Sequence, residues 1–123
     1  MLIIAAFRPD GSPRWRDVTA EKLPPKDSVA RNSMDVEAAD LDGDGDLDLV
    51  RANLGPLSVW ENTGAKFVDA SAKFLPEAIV AQQLGLEIAD FDGDGVLDLY
   101  LACLAGPNKD ARSFDRLLLG LKR

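Results

Sequence analysis

The sequence predicts an all-β protein assembled from repeated four-stranded antiparallel units. Three observations lead there. A nine-residue acidic stretch occurs twice, as Asp40-Leu-Asp-Gly-Asp-Gly-Asp-Leu-Asp48 and, fifty residues later, as Asp90-Phe-Asp-Gly-Asp-Gly-Val-Leu-Asp98. The segments that enter and leave each copy are short, apolar and rich in residues that suit a pleated surface. Turn chemistry punctuates the chain at short intervals, as in Gly55-Pro56 and Asn62-Thr-Gly64.

Taken in order, Leu2–Phe7 predicts a short strand, closed by the turn residues Pro9-Asp-Gly-Ser-Pro13. Residues 14–19 predict a second strand, since Trp15 and Val18 fit a pleated surface better than a helix. Residues 20–33 are polar, contain Pro24-Pro25, and read as a surface connection with room for one helical turn. Val36–Ala39 runs as a strand into the first acidic stretch, and residues 47–53 leave it with Leu47, Leu49 and Arg51 on one face. Gly55-Pro56 turns the chain, Leu57–Glu61 alternates as a strand, and Asn62-Thr-Gly64 marks a hairpin whose return is Lys66–Asp69.

The order then restarts. Residues 70–83 connect around Pro76 with some helical character. Leu84–Ala89 enters the second acidic stretch, Leu97–Leu104 leaves it, Gly106-Pro-Asn108 turns, and Arg116–Leu119 is the counterpart of the Trp60 strand. Outside the acidic stretches, Trp15-Arg-Asp-Val-Thr-Ala20 lines up with Phe67-Val-Asp-Ala-Ser-Ala72, and Leu23-Pro24 with Leu75-Pro76, at an offset of 52. Repeated four-stranded units of this kind suggest propeller-type blades. On this count residues 1–19 end a preceding blade, 35–70 form a complete blade, and 84–120 supply three strands of the next. About two blades are too few to close a propeller, which typically has four to eight. The expectation is therefore a partial propeller or an assembling fragment, with exposed blade edges that favour self-association.

Composition narrows the function. The chain has 123 residues, 46% hydrophobic and 28% charged, enough for one domain with a modest core. Its net charge of −7 is local rather than general: nine of the 21 acidic residues lie in the two stretches. The other 12 face 14 Lys and Arg, so the rest of the chain carries +2. Concentrated acid calls for a cation, and without a basic stripe nucleic acid is an unsuitable partner. The lone cysteine, Cys103, lies in an apolar run and reads as a small buried hydrophobe. Met1–Phe7 is too short for a membrane span or signal-peptide core and lacks a basic flank, so neither membrane insertion nor an export signal is expected of it.

The spacing within each stretch suits calcium. This hard ion takes six to eight oxygen ligands at about 2.3–2.6 Å. Asp at positions 1, 3, 5 and 9 of a curled loop can turn inward, and Gly at positions 4 and 6 permits positive φ. Position 7 is Asp46 in one copy and Val96 in the other, so a shared binding mode would use its backbone carbonyl. Leu41, Phe91, Leu47 and Leu97, at positions 2 and 8, are expected to anchor the loops in the core. Magnesium prefers to keep its waters, and the absence of His makes transition metals unsuitable. A helix–loop–helix calcium site needs Glu at position 12, where this chain has Arg51 and Leu101. The alternative is a pair of solvated acidic turns.

Ala38–Val50 and Ile88–Tyr100 resemble the FG-GAP/VCBS repeat of integrin α-subunit propellers and of many bacterial extracellular proteins. Trp15-Arg-Asp-Val-Thr19 and Trp60-Glu-Asn-Thr-Gly64 are similar to repeats of the cartilage acidic protein and ASPIC/UnbV group. The resemblance implies a β-propeller, two structural calcium ions and an extracellular, cell-surface or periplasmic setting. It also implies a ligand set: the side chains of Asp40, Asp42, Asp44 and Asp48 with the carbonyl of Asp46, and those of Asp90, Asp92, Asp94 and Asp98 with the carbonyl of Val96.

The leading expectation is a non-catalytic calcium-binding scaffold, with adhesion or recognition of a protein or glycan left to other loops such as 20–33 and 105–113. A second is a carbohydrate- or cell-surface-binding part of a larger extracellular enzyme, with Trp15 and Trp60 stacking on sugars. A remote third is a magnesium-dependent aspartyl phosphatase using Asp90 and Asp92, against which stand the duplicated motif and Asp94 where such sites carry Thr or Val.

Overall fold

The computed structural model describes residues 10–12, 15–25, 32–104 and 114–122, and strands flank both acidic stretches. The fold is all-β, with seven antiparallel strands in one open sheet among the described residues. These are β1 Ser33–Ala39, β2 Asp48–Pro56, β3 Ser58–Asn62, β4 Phe67–Asp69, β5 Val80–Ala89, β6 Asp98–Cys103 and β7 Arg116–Leu118. Two single-turn helices, α1 Thr19–Lys22 and α2 Ser71–Phe74, lie in the connections.

The first four strands pair in the spatial order β1-β2-β3-β4 and the last three in the order β5-β6-β7. In each set the acidic stretch joins the first strand to the second. The matched pairing Leu49 with Trp60 and Leu99 with Leu118 shows the sets to be copies of one design. β2 links them, because beyond its ladder with β1 its residues Leu54–Pro56 pair with Val80–Gln82 of β5. Gly55 makes that departure possible with φ +137°, a backbone region hostile to side chains. The chain thus reverses near Gly55-Pro56 as expected, yet the same residues also serve as strand.

Alternation along β2 buries Asp48, Val50 and Ala52, the face opposite to the one carrying Leu47, Leu49 and Arg51. Val50, Ala52, Leu57 and Val59 of the first set meet Ile79, Leu86 and Leu101 of the second in one core. Leu41, Phe74, Leu75 and Leu118 pack around it. Burying such aliphatic side chains stabilises the fold by roughly 1.5–3 kcal/mol each.

Polar bonds fix the alignment of the two sets. The fully buried Gln83 accepts the Asn53 N–H at 3.0 Å and donates to the carbonyls of Gly55 and Ile79. A β-bulge between Ser33 and Asp35 interrupts the β1–β2 register, and Asp35 Oδ2 accepts the Leu86 N–H at 3.0 Å. Trp60 is 7% exposed, and the Arg51 guanidinium lies 3.9 Å from the centre of its ring. It is a packing residue and offers no face to a sugar.

The offset of 52 reappears as geometry. Asp17 accepts the Thr19 N–H that opens α1 just as Asp69 accepts the Ser71 N–H that opens α2. Leu23 and Leu75 donate their N–H groups to Thr19 and Ser71 at 3.0 and 2.9 Å. Residues 15–18 form no strand, although Trp15 is the counterpart of Phe67 at the start of β4. Trp15 is 88% exposed. The strand expected at Leu2–Phe7, part of the 20–33 connection, the Gly106-Pro-Asn108 turn and the 105–113 loop lie outside the described residues.

At the far edge, Asp115 accepts the Tyr100 hydroxyl at 2.6 Å and the Cys103 N–H at 2.8 Å. Cys103 is partly buried against the core, and loss of hydration pushes its thiol above the usual range. The Asp115 carboxylate also raises the Tyr100 hydroxyl above its ordinary value of 10.0. A raised folded value means that the contribution is present below pH 10 and is lost as pH climbs through the shifted value. Tyr100 is the sole tyrosine, so phenolate absorbance reports it alone. The titration midpoint should lie above that of a free tyrosine and fall back toward it in Asp115→Asn.

Candidate metal centre

Residues 40–48 connect β1 to β2, and residues 90–98 connect β5 to β6. Each loop is curled by its own carboxylates. Asp40 accepts the N–H of Gly43 through Oδ1 at 2.8 Å and that of Gly45 through Oδ2 at 2.9 Å. Asp90 does the same with Gly93 and Gly95, both at 2.8 Å. Asp42 accepts from Asp44 and Asp92 from Asp94, while Asp44 accepts from Asp46 and Asp94 from Val96. Gly43, Gly45, Gly93 and Gly95 have φ between +76° and +92°, which explains glycine at positions 4 and 6.

The position-9 carboxylates differ in kind. Asp48 is 0% exposed and Asp98 is 2% exposed. Asp48 accepts the Leu41 N–H at 2.9 Å and, from the third strand, the Asn62 N–H at 2.8 Å. Asp98 accepts the Phe91 N–H at 2.7 Å and the Gly120 N–H at 2.8 Å. Each ties the start of its loop to a more distant segment, Asp48 to β3 and Asp98 to the chain just past β7, with charge-assisted bonds.

Carboxylate oxygens of Asp40, Asp42 and Asp48 lie within 4.8 Å of one another, and so do those of Asp90, Asp92 and Asp98. Oxygens so spaced can all reach one ion at about 2.3–2.6 Å. Each carboxylate oxygen can accept more than one bond, so an amide contact leaves capacity for a cation. A donor set made wholly of hard oxygen fits calcium. Asp44 and Asp94 lie outside these trios, as do Asp46 and Val96 at position 7.

The charges within the loops are strained. The Gly95 N–H holds the Asp90 carboxyl below the usual range. Despite the Asp94 N–H, loss of hydration and the charges of Asp94 and Asp98 push Asp92 upward. Asp44 is likewise raised, with partial desolvation and Asp42 overriding the Asp46 N–H. Asp42 itself is lowered: desolvation opposes this, but the Asp44 N–H and a bond with Glu61 prevail.

Two features of the loops differ from expectation. Leu41 packs on the core, whereas Leu47, Phe91 and Leu97 are substantially exposed. Position 9 points inward, and strand alternation then turns position 8 outward. Glu61 on β3 stands beside Asp42, with Lys73 at 2.7 Å from its carboxylate. Loop spacing contains no hint of it; only the β2–β3 register does.

A family model described as an FG-GAP-like repeat matches residues 4–51 and again residues 40–101, so that one acidic stretch falls in both matches. No curated protein and no solved structure matches the chain.

Asp98→Ala should lower the free energy of unfolding by about 2–4 kcal/mol, because two partly buried N–H groups lose their charged acceptor. Asp46→Val removes no such bond and should cost less than about 0.5 kcal/mol. Urea denaturation of the two variants measures both. Gly120→Ala should also destabilise, since an added Cβ would collide with the Leu97 carbonyl and the Val96 side chain.

Proposed function

The chain belongs to the FG-GAP-like repeat family, and from that premise we propose that it is a calcium-stabilised, non-catalytic module of a propeller-type domain. Its role is to hold recognition loops in place for adhesion or ligand binding. The observation that carries this reading is the duplication of one bond pattern: two loops, fifty residues apart, gather the same three carboxylates within 4.8 Å. Asp40, Asp42 and Asp48 would hold one ion, Asp90, Asp92 and Asp98 the other, with Asp44, Asp94 and the carbonyls of Asp46 and Val96 completing the sets. Calcium would neutralise the crowded acid and rigidify each connection between paired strands.

Two equivalent loops favour a structural ion over an active site. Asp94 also stands where an aspartyl-phosphatase motif carries Thr or Val, which weighs against phosphoryl transfer to Asp90. A glycan-binding role now rests on the exposed Trp15, because Trp60 is covered. Among the described residues no helix is long and apolar enough to cross a membrane. An extracellular, cell-surface or periplasmic setting agrees with the family and supplies the calcium. Exposed Phe114, Leu117, Leu119 and Leu121 along the β7 edge favour self-association, with a second copy or another blade as cover.

Millimolar calcium should raise the melting temperature by several degrees, and EDTA should reverse the rise. Native mass spectrometry should find two calcium ions per chain and report self-association in the same spectrum. No thermal shift and no bound calcium would refute the proposal.

A further inference from the structure

The two loops share a bond pattern but not an electrostatic environment. Strand pairing places Trp60 opposite Leu49 and Leu118 opposite Leu99, so Glu61 corresponds to Leu119 and Asn62 to Gly120. The Asp48–Asn62 and Asp98–Gly120 bonds, both 2.8 Å, fix the same correspondence independently. Beside the carboxylates common to both loops, the first therefore has two more, Asp46 within it and Glu61 on β3, which lies between Trp60, paired with Leu49, and Asn62, whose N–H reaches Asp48. In the second loop those places hold Val96 and Leu119. Lys73 lies 2.7 Å from Glu61 and offsets part of the added charge.

We infer that the two cation sites are unequal, with the loop at residues 40–48 filling first and the loop at residues 90–98 filling only at higher calcium. The inference rests on the calcium reading proposed above. Asp46 and Glu61 act as flanking charges that attract a divalent ion through space. Neither needs to ligate it. Two such carboxylates acting through water over separations on the order of 8 Å, with Lys73 cancelling part of their field, give the first loop about a tenfold advantage at low ionic strength, and salt erodes it. Over the calcium range between the two affinities, the first set of strands would be ion-bound while the second is still responsive.

Calorimetric titration of the full chain with calcium alone, at low and high salt, tests this. Asp90→Asn/Asp92→Asn isolates the first loop, and Asp40→Asn/Asp42→Asn isolates the second. Circular dichroism checks that each variant is folded. The isolated first loop should bind about tenfold more tightly than the second, and the gap should narrow with salt. Adding Asp46→Val and Glu61→Leu to the isolated first loop should bring it close to the second, and the near-isosteric Glu61→Gln alone should give part of that loss. Equal affinities, a tighter second loop, or first-loop affinity unmoved by the charge substitutions would overturn the inference while leaving the calcium reading intact. Absence of binding at both loops would overturn the calcium reading itself, and this inference with it.

Discussion

Asp48 and Asp98 are carboxylates in almost complete isolation from solvent, and each spends its two oxygens on backbone N–H groups from two different segments. A buried charge is tolerated only where such bonds replace its hydration. The bonds do more than satisfy it. One oxygen gathers the loop at its first turn, and the other reaches β3 at Asn62 or, in the second set, the chain just past β7 at Gly120, so these segments become one mechanical unit. The remaining carboxylates of each loop are then placed by their own Asx-type bonds to glycine-rich backbone. The clustering of carboxylates in each loop is thus a consequence of how the strands are tied together.

The same economy governs the contact between the two strand sets. Their aliphatic core is small, and a core alone tolerates sliding. Gln83 against Asn53 and Asp35 against the Leu86 N–H supply bonds with direction, which select one alignment. β2 reinforces it by leaving its own ladder at Gly55 and continuing on β5. The difference in charge beside the two loops comes from this scaffold as well, since β3 carries Glu61 where the chain just past β7 carries Leu119.

Much of this is legible in the sequence, because repetition compares two versions of each element. The acidic loops, the hairpin at Asn62–Gly64 and the helical turns after Val18 and Ala70 follow from local chemistry that the chain states twice. What misleads is the strand leaving each loop. Its apparent apolar face, Leu47 and Leu49, is the less buried one, because the inward face opens on an aspartate. A buried Asp looks like a loop residue until the strand register is known. Glu61 is invisible for the same reason: its relation to Asp42 is made by pairing across β3, and neither spacing nor composition encodes it. Trp15 shows the converse limit. Its sequence copies the start of β4, yet residues 15–18 form no strand, so a matching sequence alone does not set the backbone.

The central claim is that the position-9 carboxylates hold the N–H groups of Leu41, Asn62, Phe91 and Gly120 in a partly buried, bonded state. Site-resolved amide hydrogen exchange, followed by NMR in calcium-containing buffer, measures those four groups directly. The account predicts that they exchange as slowly as amides within the β1–β2 and β5–β6 ladders. Exchange at the rate of exposed loop amides, with the ladders still protected, would contradict it.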